Sequence, residues 1–76
     1  MIDYDHLNAQ VLAAHDSGDN ATLVRIYQKL GNDELANGHE LEGAYFLTQA
    51  YVYALEGGLP EQHEIHKTLV ALGREE

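Results

Sequence analysis

The side chains with which this 76-residue chain could do chemistry are five histidines, thirteen acids, and the hydroxyls of Ser17, Thr22, Thr48 and Thr68 beside five tyrosines. Metal ligation is the first chemistry the histidines suggest. His63 and His66, three apart, share one helix face, with Gln62 and Glu64 nearby. His63-Glu64-Ile65-His66 is one residue too short for the zinc-protease pattern, whose histidines stand four apart. The pair needs further ligands from elsewhere, and spacing assigns none. His6, His15, His39, His63 and His66 therefore read as solvated surface residues, with no metal or cofactor site expected. A small metal- or ligand-binding protein using His63 and His66 is the alternative.

Nucleophilic catalysis finds no better footing. There is no cysteine, hence no thiolate nucleophile, thiolate metal site or disulfide. Ser17 follows His15 and Asp16, but adjacency along the chain does not build a triad. Acid/base work needs carboxylates converging on a pocket. Asp3, Asp19, Glu42 and Glu61 read instead as helix caps or outer-face residues, and every glycine is accounted for by a turn or a helix crossing. The expectation is no catalytic residue and no enzyme.

The elements that position these groups are four expected helices and no strand. Helix 1 is predicted over about Tyr4 to Ser17, with Asp3 as N-cap and Ile2 and Leu7 as a hydrophobic staple. Tyr4, Leu7, Val11 and Ala14 make its buried face, and Gly18 ends it in a left-handed conformation. Asp19 caps helix 2, which begins near Asn20 and buries Leu23, Ile26, Tyr27, Leu30 and Leu35, with Arg25 and Lys29 outward. Gly31 falls inside this pattern at a cost of up to about 1 kcal/mol relative to alanine, so either the helix breaks there or another backbone comes close. Asn37-Gly38 is a stop signal. Helix 3 is predicted from about Glu40 to Glu56. Helix 4 starts with Pro60 in its first turn and Glu61 and Glu64 at its positive end. It buries Ile65, Leu69 and Leu72, and Gly73-Arg74-Glu75-Glu76 is expected to fray.

Helix 3 is the unusual element. Between Leu41 and Glu56 its strongly polar residues are Glu42, Gln49 and Glu56, seven apart, on one narrow stripe. Nearly everything else around it is apolar or small, the pattern of a central helix packed on several sides. Gly43, Ala50 and Ala54, with Leu47 among them, form a small side that lets a neighbour approach, the closest point expected at Gly43 and Ala50. Leu41, Tyr51, Val52 and Leu55 form a bulky side expected to fill a wider gap. Phe46 and Tyr53 border the polar stripe on one flank and Tyr45 on the other. Tyrosine favours interfaces because its ring buries while its hydroxyl stays wet.

Residues 1–76 make one domain, able to bury about 60% of its unfolded surface and so left with little margin. Thirteen acids against Arg25, Lys29, Lys67 and Arg74 give a formal charge of −9. That charge repels phosphate backbones and anionic membranes, so nucleic-acid and membrane binding are not expected. Met1 leads directly into Ile2-Asp3-Tyr4-Asp5 without a basic, apolar leader, and no stretch reaches the roughly 18 apolar residues of a spanning helix. With the lack of cysteine, this suits a cytoplasmic setting.

The halves echo each other: Leu7, Ala14 and Gly18 return forty residues later as Leu47, Ala54 and Gly58, and Leu30-Gly31 returns forty-two later as Leu72-Gly73. From Val24 to Gly57 the chain resembles a tetratricopeptide repeat. Tyr27, Leu30 and Gly31 match the aromatic and Leu-Gly of that family's first helix, and Gly38 its turn. Gly43 and Ala50 match the small residues where its helices cross, and Leu47 the large apolar residue between them. All seven fit one 34-residue register without a gap. The pattern departs at Glu34, where the family has a second aromatic, and at Leu55, where it has proline. The ending from Ala50 is also similar to that of small alphaproteobacterial proteins to which no activity is attached. The echo suggests an all-α fold of two αα-hairpins, antiparallel because the connections are short, and the resemblance implies a repeat-like hairpin and a protein-binding role. Two hairpins cannot cover helix 3, so Tyr45, Phe46, Val52 and Tyr53 are the expected partner contacts. The partner is another protein or a second copy of this chain, and an acidic inhibitor of a basic protein is a further alternative.

Overall fold

The structure, a computed structural model, describes residues 4–73, with the side chain of Tyr4 outside the description. The described residues form four helices and no strand: α1 (Tyr4–Ser17), α2 (Asn20–Ala36), α3 (Glu40–Gly57) and α4 (Glu61–Ala71). The predicted boundaries hold to within a residue or two. The Asp3 cap, the Ile2 staple, the Tyr4 side chain and the fraying of residues 74–76 lie outside the described residues.

Each of the first three helices is closed by the same device. The N–H that follows a left-handed glycine donates to the carbonyl five residues back: Asp19 to Ala14, His39 to Glu34 and Leu59 to Ala54, each at 2.8 Å. The glycines are Gly18, Gly38 and Gly58, with φ of 68°, 80° and 62°. This satisfies carbonyls that a helix end otherwise leaves unpaired. α2 is capped as expected: Asp19 accepts the Thr22 N–H at 3.1 Å and the Thr22 hydroxyl at 2.6 Å.

α3 supplies the centre. Val24, Leu47, Ala50, Ala54, Ile65 and Leu69 form the buried cluster, three of them from α3, with Tyr27, Leu35, Tyr51, Tyr53 and Leu59 packed against it. α3 makes its largest contact with α2 and a smaller one with α4, and α1 touches α2 least. Gly31 does not break α2. It lets α3 approach: a Cβ there would stand 2.6 Å from Leu47 Cγ and 3.0 Å from the Gly43 carbonyl oxygen, and a Cβ at Gly43 would stand 2.7 Å from Leu35 Cγ and 3.0 Å from the Gly31 oxygen. Gly31 and Gly43 therefore mark a close approach of α2 and α3, and Ala50 is fully buried further along α3.

Two expectations are corrected. The bulky side of α3 does not fill a gap: Leu41, Val52 and Leu55 face solvent, and only Tyr51 is half-buried. On α2, Val24 is buried where Ile26 and Leu30 are only half-buried. Both follow from shape. The Cα positions span 32 × 31 × 13 Å, a slab too thin to enclose a helix on every side.

Candidate interaction surface

At about 100° per residue, the buried residues of α3 fall on one side: Gly43, Ala44, Leu47, Ala50 and Ala54. The opposite side carries Leu41, Tyr45, Val52 and Leu55, which are 67%, 61%, 42% and 48% exposed. Four of the six large hydrophobic residues exposed among those described thus lie in one stripe, the others being Leu12 and Val70. Thr48 sits within it, and its hydroxyl donates to the Ala44 carbonyl at 2.8 Å, so it brings no unmet polar demand. The four side chains expose about 400 Å², a patch of the size that is often functional on a small monomer.

The polar stripe runs along one edge of this face. Glu42 and Glu56 are exposed and Gln49 is half-buried between them. Neither glutamate has a Lys or Arg ion partner among the described residues.

Beyond the polar edge, a row of rings joins three helices. His15 Nε2 lies 2.7 Å from the Tyr53 hydroxyl, with the rings edge-on at 5.5 Å. Tyr53 stacks on Tyr27 at 5.8 Å, Tyr27 on Phe46 at 6.3 Å, and Tyr45 meets Phe46 edge-on at 5.6 Å. Burial holds the Tyr27 phenol above its ordinary pKa, and the neighbouring Tyr53 and Tyr45 push in the same direction. Of the four residues expected to meet a partner, Tyr45 and Val52 stand on the exposed stripe. Phe46 and Tyr53 are half-buried in the aromatic row, and Tyr45 links the two through its contact with Phe46. Leu41 and Leu55 complete the stripe. Their place on the bulky side predicts that they fill a gap between helices, whereas their spacing from Tyr45 and Val52 puts them on the same stripe.

The candidate ligands and nucleophiles fall elsewhere. Among the described residues no third His, Asp or Glu joins His63 and His66 within ligating distance; His63 is exposed and His66 stacks on Tyr51 at 5.5 Å. The group that does converge is Glu34, His39 and Glu42, whose ligand atoms lie within 4.8 Å of one another at the α2–α3 turn. There His39 Nδ1 and Glu34 Oε2, 2.8 Å apart, satisfy each other and tie the end of α2 to the start of α3. Ser17 donates to the Ala14 carbonyl at 3.2 Å while His15 engages Tyr53, so the two do not pair. An open groove of about 620 Å³ runs between α1 and α2, floored by Leu7, Ala14, Ile26 and Leu30. Lys29 at its rim is held by Asp33 at 3.1 Å and Arg25 by Thr22 at 3.2 Å.

No helix among the described residues is long and apolar enough to cross a membrane. Comparison with family models, curated proteins and solved structures finds no match to this chain.

Proposed function

We propose that this chain is a non-catalytic protein-interaction module that offers the outer face of α3 to a protein partner. The observation carrying this reading is the stripe of Leu41, Tyr45, Val52 and Leu55, left bare by a fold whose own core is made from the opposite side of the same helix. Covering it together with an equal area of partner removes about 800 Å² from water, below the usual range for specific, stable interfaces. Affinity then depends on what the flanks add. The chain is read as two antiparallel hairpins of tetratricopeptide-like kind, supported by the Gly31–Gly43 approach and by Leu47 in the core beside it. A charge of −9 disfavours nucleic acid and anionic membrane as the occupant.

Site-specific photo-cross-linking tests this. Benzoylphenylalanine replaces Val52 on the stripe or the exposed Asn32 on α2, and the protein is irradiated in the cells that make it. A discrete adduct from position 52 and none from position 32 is the expected result. No adduct from position 52, or the same adducts from both, would overturn the proposal.

A further inference from the structure

The exposed stripe has the spacing of a helix-packing seam. Leu41, Tyr45, Thr48, Val52 and Leu55 are separated alternately by four and three residues. This is the a/d spacing of a helix that packs lengthwise against another. In that register Glu42, Gln49 and Glu56 all occupy e, the flank where partner charges are read, and Leu59, the next a position, turns into the chain's own core. The stripe from Leu41 to Leu55 is about 21 Å long, the length of about four helical turns.

The flank has one sign. α3 carries Glu40, Glu42 and Glu56 and no lysine or arginine. Glu40 and Glu42 suit the positive end of the helix, but Glu56 stands in the last turn, where carbonyls point outward and a cation belongs. Among the described residues no Lys or Arg pairs with it.

A second copy fits poorly. Laid antiparallel along the stripe, it would set Glu42 against Glu56 of the second copy at both ends. Laid parallel, it would direct that flank at Ala44 and Tyr51 of the second copy, where His66 of α4 already stacks on Tyr51. We infer that the outer face of α3 receives one amphipathic helix of a partner protein, apolar on its a/d seam and carrying Lys or Arg on the flank that meets Glu42, Gln49 and Glu56. This rests on the interaction reading above and narrows it to one partner chemistry.

Three synthetic helical peptides of about 18 residues test it against the full chain, with affinity read by fluorescence anisotropy. One has leucine at a and d with lysine flanks, one has the same seam with glutamate flanks, and one has the first peptide's composition with its leucines scattered. The first should bind at least about tenfold more tightly than either other, and weaken as salt is raised. Glu42→Gln with Glu56→Gln should cut its advantage over the glutamate peptide several-fold, while Asp16→Asn on α1 changes it far less. Val52→Asn and Tyr45→Ala should each weaken it about tenfold with the helical circular dichroism retained. Equal binding of the scattered peptide shows charge attraction alone and overturns the inference. So does equal binding of the glutamate peptide, or sedimentation of the chain alone as a dimer that Val52→Asn dissociates. A position-52 adduct with a partner lacking such a helix would overturn this inference while leaving the interaction reading intact.

Discussion

Gly31→Ala is the most demanding test of the packing. Considered as a helix residue alone, alanine should stabilise α2 by about 1 kcal/mol. The structure predicts the opposite sign. The added Cβ would lie 2.6 Å from Leu47 Cγ, 2.9 Å from Leu47 Cδ2 and 3.0 Å from the Gly43 oxygen. Leu47 is 1% exposed and has no open side to turn toward, and the Gly43 oxygen is backbone. Overpacking of this kind costs about 1–3 kcal/mol. Net destabilisation of up to about 2 kcal/mol follows, and each kcal/mol lowers the Tm of a domain this size by about 4–8 °C. Urea and thermal unfolding followed by circular dichroism measure it. Leu47→Ala alone should cost about 2–5 kcal/mol through the cavity it leaves. Because the clash is with Leu47, the double variant should cost less than the sum of the singles by about 1 kcal/mol. A Gly31→Ala chain that melts higher than the parent, or strict additivity with Leu47→Ala, would refute the close approach of α2 and α3.

Ala50→Leu should destabilise by about 1–3 kcal/mol in the same assay, since Ala50 is fully buried in the central cluster. Asp19 has its carboxyl held below the usual range by the Thr22 side-chain and backbone hydrogen bonds. Its contribution is complete above the unfolded value of about 4 and is lost as pH falls through the folded value. The Tm gap between the parent and Asp19→Ala should therefore narrow on acidification, and a constant gap would mean that the ionised carboxylate does not cap α2. Tyr27 has a raised folded pKa, so its contribution is complete below the unfolded value of about 10 and is lost as pH rises through the folded one. The parent should lose Tm above about pH 10 more steeply than Tyr27→Phe, and identical alkaline profiles would mean that the ring is not desolvated.

The helices were legible because local signals fix them: Asp19 before α2, Gly18, Gly38 and Gly58 after three helix ends, and helical spacing between. Leu47 and Ala50 as core followed from the small side of α3. Which of two apolar sides would stay bare did not follow. Leu41, Val52 and Leu55 are as apolar as Leu47, and only the placement of α2 and α4 on one side of α3 decides between them. The aromatic row was hidden for the same reason: His15, Tyr27 and Tyr53 lie far apart in sequence and meet only when α1, α2 and α3 come together. The Glu34–His39–Glu42 group depends on the geometry of one turn, whereas the His63 and His66 spacing implied a pair without placing a third ligand. The four-three spacing of the exposed stripe was present in the sequence throughout, but periodicity gives no sign of whether a seam faces its own core or a partner.

The most direct test of the partner face is the yield of the position-52 cross-link in a chain that also carries Leu41→Asn and Leu55→Asn. These side chains are exposed, so the two changes together should cost about 1 kcal/mol, and the variant should stay folded with a Tm within about 8 °C of the parent. The folded variant should lose the adduct the parent forms. An undiminished adduct, or a fall in stability of several kcal/mol that places the stripe in the chain's own core, would contradict the partner face.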